Sequence, residues 1–132
     1  MTVEGLVTLG SKHDQAQTLD RLVAAVTGRG AAVLGRVDHA KAAASAGLSL
    51  HPTEVVLFGN PRSGTPLMKT TQTMGIDLPL RALVWTDASG TTHLSYNDPE
   101  WLAGRHHAGA GNEAMVRTMR DFLAAVAAEA TG

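Results

Sequence analysis

The segment from Leu78 to Tyr96 does most to limit the folds open to this chain. Two strand-like runs, Leu78 to Thr86 and Thr91 to Tyr96, are separated by Asp87-Ala88-Ser89-Gly90. A connection that short, closed by a glycine, joins neighbouring antiparallel strands. Parallel neighbours need a crossover of about a dozen residues or more, so an all-parallel doubly wound sheet is excluded.

Upstream of this hairpin, strand and helix patterns alternate. Thr2 to Leu9 places Val3, Val7 and Leu9 on one side of a strand. Ser11-Lys12-His13-Asp14 predicts a capping box, and Leu19, Leu22, Val23 and Val26 follow at helical spacing, ended by Gly28 and Gly30. Ala31 to Val37 is a second strand, followed by a short alanine-rich helix over His39 to Ala46. Thr53 to Gly59 has a continuous apolar centre, as expected of a central strand covered on both faces. The turn Asn60 to Pro66 then leads into a helix with Thr65 as N-cap and Pro66 at its first position, running to about Met74. After the hairpin, Asp98-Pro99 caps another short helix and Asn112 opens the last one. There Met115, Met119, Phe122 and Val126 form an apolar stripe widened by Val116 and Leu123.

The resulting order, β-α-β-α-β-α-β-β-α-α, predicts an α+β fold: a largely antiparallel sheet of about five strands with helices packed mainly on one face. Val56, Phe58, Leu80, Val84 and Leu22 are expected in the core, and the methionines Met68, Met74, Met115 and Met119 are expected to be packing residues. A chain of 132 residues suits a single domain spanning 1–132. Hydrophobic residues make up 44% and charged residues 17%, which excludes general disorder. Eleven Lys+Arg against twelve Asp+Glu give a net charge of −1 with no basic run, so nucleic acid is not an expected partner. The absence of cysteine removes disulfides, thiolate metal sites and a cysteine nucleophile. No apolar run is long enough to span a bilayer and no signal peptide is recognised, so a cytoplasmic protein without membrane contact is expected.

The middle of the chain resembles a known family. Pro52-Thr53-Glu54, Leu57-Phe58-Gly59-Asn60-Pro61 and Gly64-Thr65-Pro66-Leu67-Met68 carry the resemblance. Val37-Asp38-His39-Ala40, Asp77-Leu78-Pro79-Leu80, Val84-Trp85, Tyr96-Asn97-Asp98-Pro99, Trp101-Leu102 and Arg105-His106 support it. Together they are similar to the domain of unknown function 302 family from residue 2 to about 127. The resemblance implies a compact α+β fold similar to the TATA-binding-protein-like class, often dimeric, with no established activity. His51 departs from the long polar residue common there, and His107-Ala108-Gly109-Ala110-Gly111 is a more flexible lead into the last helix than is usual.

Three groups of residues are candidates for chemistry. The first is the turn containing Asn60, Arg62, Gly64 and Thr65, where a helix start could offer N–H groups and a guanidinium to an anion; as a turn and cap alone, it leaves only Arg62 unexplained. Neither a Walker loop nor a nucleophile elbow fits its glycine spacing. The second is His39, beside Asp38, and His106, beside Arg105, which also suit an N-cap neighbour and a helix C-terminus. None of the six histidines lies at metal-pair spacing, so no metal is expected, and no cofactor motif is present. The third is Tyr96 and Asn97 before the Asp98-Pro99 cap. Asp38, Asn60, Tyr96, Asn97 and the two histidines all fall at strand ends or helix starts, where they could gather round one cleft. The leading expectation is a domain that binds or senses a small polar or anionic ligand in a pocket at strand ends. The alternatives are an acid/base enzyme with His39 or His106 as base and Asp38 or Tyr96 orienting it, and a structural or protein-interaction module. Five short strands with one poorly covered face also predict a homodimer.

Overall fold

The computed structural model describes residues 2–132. The elements are β1 (Leu6–Gly10), α1 (Gln15–Gly28), β2 (Ala32–Asp38), α2 (His39–Ser45), β3 (Thr53–Gly59), α3 (Pro61–Thr70), a 3-10 segment (Gln72–Ile76), β4 (Leu80–Thr86), β5 (Thr92–Asn97), α4 (Pro99–His106) and α5 (Glu113–Thr131). The strands form one sheet in the order β1-β5-β4-β3-β2, and every neighbouring pair is antiparallel. The predicted α+β class and five-stranded antiparallel sheet are therefore present, with the late hairpin joining β4 to β5.

Period-two burial sorts each central strand into two faces. Val56, Phe58, Leu80, Ala82, Val84, Leu94 and Tyr96 point into the core, where they meet Leu22 and Val26 of α1, Leu67 of α3, and Met119, Leu123 and Val126 of α5. All five residues expected in the core are buried, and Met74 and Met119 join them while Met68 and Met115 pack against the cluster. Val55, Leu57, Leu83 and Trp85 alternate with the core residues along β3 and β4, cross-pair with Val37, Gly35, Ser95 and His93, and lie outside the core cluster. The sheet consequently carries an apolar stripe on the face turned away from its core.

Three local expectations are corrected. The cap of α1 is Asp14, not Ser11: Asp14 accepts from the Gln17 N–H at 2.8 Å while Gln17 reaches back to the Asp14 N–H. Ser11 instead accepts from the His13 N–H and pairs with the Thr18 hydroxyl at 2.7 Å. The helix after β3 begins one turn earlier than Thr65: Asn60 is its N-cap, with Oδ1 accepting from the Arg62 N–H at 3.0 Å, and Pro61 takes the first position. Two prolines compete for a helix start, and Asx capping at Asn60 decides for the earlier one, leaving Pro66 inside the helix without an N–H to donate. That helix also stops at Thr70, and Met74 belongs to the following 3-10 segment. Asn60→Ala is therefore expected to cost about 1 kcal/mol of stability through loss of the cap, whereas Thr65→Ala, at an exposed helix-interior position, should be neutral or stabilise by a few tenths because alanine is the better helix former. Chemical denaturation of the two variants checks the assignment.

Candidate functional site

The antiparallel register defines two ends of the sheet. Gly59 pairs with Ala32, Phe58 with Leu80, and Asn97 with Leu6, so the end of β3, the start of β4 and the end of β5 lie together. Asp38 pairs with Glu54, Thr53 with Trp85 and Thr86 with Thr92, which puts Asp38 and His39 at the opposite end. The register thus separates Asp38 and His39 from Asn60 and Asn97.

At the Gly59 end lies a cavity of about 670 Å³, within the size range of small-molecule sites. Ala31, Ala32 and Leu34 of the β2 region, Gly59, and Leu78, Pro79 and Leu80 leading into β4 form its sheet side. Met68 of α3 and Met119 and Phe122 of α5 close it from the helix side. Polar groups are few: Asn60, Ser63, Thr65 and Thr118, with Arg29 from the end of α1 as the one charged lining residue. Gly64 is buried in this wall, and a Cβ there would come within 3.3 Å of Leu78 Cδ1.

Of the residues singled out from the sequence, Asn60, Gly64 and Thr65 line this cavity and Arg62 does not. The Arg62 N–H is used in the Asn60 cap, while its guanidinium is exposed and has no ion-pair partner among the described residues. Tyr96 faces the core, 8% exposed, where burial first and the Asp98 carboxylate second push its phenol above its usual range. Tyr96 and Asn97 are outside the cavity lining. Asp38 caps α2 by accepting from the Lys41 N–H at 2.9 Å. His39 is exposed and makes no side-chain hydrogen bond among the described residues.

His106 is held differently. Its Nε2 lies 2.6 Å from Asp77 Oδ2 and its Nδ1 3.0 Å from Thr73 Oγ1, and its side chain is 9% exposed. A carboxylate only accepts, so Nε2 carries the proton toward Asp77, and in the neutral ring Nδ1 accepts from the Thr73 hydroxyl. Arg105 Nη1 donates to both Asp77 oxygens at 3.1 and 2.9 Å and fixes the carboxylate. The orienting partner of His106 is therefore Asp77, in place of the Asp38 or Tyr96 considered from the sequence. Twenty-nine residues separate the two, and no local spacing in the sequence links them.

A second histidine cluster, absent from the sequence reading, sits on the outward face of the hairpin. His93 Nε2 lies 2.7 Å from Asp87 Oδ2, and the His93 ring stacks on Trp85 with centroids 4.3 Å apart. The Trp85 indole donates to Ser95 Oγ at 3.0 Å, and Ser95 Oγ is 2.8 Å from Thr8 Oγ1. The cross-strand pair Trp85–His93 follows from the register once the turn is placed, and that is the signal that could have found it. The His93 hydrogen bond chiefly, followed by those from the Ser89 hydroxyl and the Thr91 N–H, holds the Asp87 carboxyl well below its usual range. A depressed carboxylate stabilises the fold fully above its ordinary value of 3.8, and this contribution is lost as pH falls from there toward the folded value. Asp87→Asn should therefore lower Tm at pH 6 and lose much of that deficit below about pH 3, read by parallel melts across that range.

A family model described as "Domain of unknown function DUF302" matches residues 7–126. The chain is 48% identical over 115 residues to "Fluoride-specific ion channel FluC 1" of Brucella suis biovar 1 (strain 1330), covering 87% of this chain and 45% of that protein. The protein of the same name from Brucella abortus biovar 1 (strain 9-941) matches at 48% over 115 residues, 43% of its length. The chain thus spans less than half the length of these curated relatives. Among solved structures, an uncharacterized conserved DUF302 protein from Bacillus stearothermophilus superposes with a TM-score of 0.87 at 21% identity, covering 97% of this chain and 99% of that one. At that identity the likeness speaks for the fold.

Proposed function

The chain belongs to the DUF302 family of domains of unknown function, and from that premise we propose that it is a binding or sensing domain whose small polar or anionic ligand occupies the cavity at the Gly59 end of the sheet. The observation that supports this reading is the position of the cavity, where Asn60, Gly64 and Thr65 meet the ends of three adjacent strands. The experiment compares thermal stabilisation of wild type by phosphate, sulfate and small carboxylates with that of Asn60→Ala and Arg62→Ala, since a ligand bound only to the folded state raises Tm by mass action. Stabilisation that shrinks in Asn60→Ala supports the cavity as the site, and Arg62→Ala, outside its lining, should leave it nearly unchanged. If no anion shifts the wild type, the small-anion form of the reading fails.

In the Brucella relatives, the conduction their name describes is assigned by this proposal to the portion they do not share with this chain. No helix among the described residues is long and apolar enough to cross a membrane, and a helical pore needs spans of about 20 apolar residues. A cytoplasmic location is part of the same proposal.

One observation favours the second reading, acid/base chemistry. The Asp77–His106–Thr73 chain presents an oriented imidazole to a hydroxyl, an arrangement that can draw a proton from Oγ. Hydrolysis of an activated ester that disappears in both His106→Gln and Thr73→Ala would support it, and equal rates in all three proteins would remove it.

The homodimer is proposed to form across the outward sheet face, where Val37 is 44% exposed beside the stripe of Val55, Leu57, Leu83 and Trp85. Leu83→Lys is expected to dissociate it without unfolding the chain, because the substituted side chain leaves the core untouched. Sedimentation at tens of micromolar, roughly the range of ordinary association, reads the outcome, and a monomeric wild type at that concentration contradicts the dimer.

A further inference from the structure

We infer that the ligand of the cavity is an anionic amphiphile, an apolar chain ending in a carboxylate or similar head, with the head at Arg29. This rests on the proposed reading of the cavity as a binding site and narrows its substrate class. The walls supplied by Ala31, Leu34, Met68, Leu80, Met119 and Phe122 offer contact area and no hydrogen bonds. A wholly polar solute placed against them would give up water without replacement partners, at a cost that grows with every polar group buried. An apolar chain gains by the same transfer. Two methionines in the wall suit a chain of variable length, because unbranched thioether side chains adapt their shape at little cost.

The charge at the cavity has one sign. No Asp or Glu lines it, and Arg29 is its single charged residue. Arg29 spends Nη1 on the Glu129 carboxylate and on the Ala25 carbonyl at 3.5 Å, leaving Nε and Nη2 without partners among the described residues. A guanidinium offers five N–H donors in a fixed fork, so it can hold Glu129 on one nitrogen and still present donors to an incoming carboxylate. A neutral head would forgo a charge-assisted bond, and a cationic head would meet like charge. Glu129 partly offsets the positive field, so its removal should strengthen the site.

Isothermal titration of decanoate, decanol, acetate and phosphate, all below aggregation, into wild type, Arg29→Gln, Glu129→Gln and Thr118→Trp tests the inference. Decanoate is expected to bind wild type about tenfold or more tighter than decanol, the factor that one charge-assisted hydrogen bond carries. Arg29→Gln should erase that advantage while leaving decanol unchanged, and Glu129→Gln should keep or increase it, which shows that breaking the ion pair is not itself the cause. Thr118→Trp, which fills the cavity from an exposed position on α5, should weaken both ten-carbon ligands. Equal binding of decanol and decanoate overturns the assignment of an anionic head. Binding of phosphate or acetate without decanoate overturns the amphiphile and leaves the small-anion reading standing. Binding of none of the four overturns both.

Discussion

Phe58→Ala is expected to destabilise the fold by about 3–5 kcal/mol, the range for deleting a buried phenylalanine ring. Phe58 is fully buried near the end of β3, between Val33 and Leu80 in register. Its ring centroid lies 6.1 Å from that of Phe122 at an interplanar angle of 53°, a tilted contact of the kind aromatic pairs favour. Phe122 is part of the cavity wall, so removing Phe58 opens space behind that wall as well as deleting apolar contact. For a chain of this size a loss of that magnitude lowers Tm by roughly 10 °C or more. Phe58→Leu, which keeps most of the volume, should recover over half of the loss. A Tm in Phe58→Ala within a degree or two of wild type would mean that the ring is not the packing centre of β3.

Gly5→Ala is expected to cost about 2–5 kcal/mol from two separable causes. Gly5 has φ of 75°, in the left-handed region where a Cβ costs roughly 1–2 kcal/mol. A Cβ built there would also lie 2.3 Å from Trp101 Cδ2 and 2.4 Å from Cγ, and forcing extra volume into such a contact typically costs about 1–3 kcal/mol. The contact ties the chain entering β1 to α4, and the Asp98 N–H donating to the Gly5 carbonyl at 2.7 Å secures the same junction. A double-mutant cycle with Trp101→Ala separates the causes. In that background the Gly5→Ala penalty should fall to its backbone part, whereas an undiminished penalty would show that Trp101 does not pack over Gly5.

How much of this was legible in the sequence differs between elements for physical reasons. The β3 run and the β4–β5 hairpin were legible because short-range pattern and turn chemistry point the same way there. The α+β class followed from the hairpin, which excludes an all-parallel sheet, together with the alternating strand and helix patterns around it. Helix starts were less legible: at α3 two proline-preceding caps compete five residues apart, and the winner is set by how Asn60 leaves the end of β3. At the site, the loop from Asn60 to Thr65 was visible as a glycine- and proline-marked turn, and three of its four marked residues line the cavity. The apolar character of that cavity was not visible, because Arg29, Met68, Leu78, and Thr118 with Phe122 come from four separate segments brought together only in the folded chain. Asp38 did not join Asn60 because antiparallel pairing puts it at the opposite end of the sheet, whereas Tyr96 and Asn97 share the Asn60 end but stay outside the cavity, Tyr96 being turned into the core. Asp77–His106 went unread because it is a tertiary pair with no sequence period, whereas Trp85–His93–Asp87 was within reach of the hairpin register once the turn was placed.

The claim at the centre of this account is that the cavity beside Gly59 holds a small ligand. Native mass spectrometry, comparing wild type with the cavity-filling Thr118→Trp after both are incubated with cell extract and repurified, tests it most directly. The account predicts a noncovalent small-molecule adduct on wild type that is released on denaturation and is absent from Thr118→Trp. A bare wild type, or an adduct carried equally by both proteins, would contradict it.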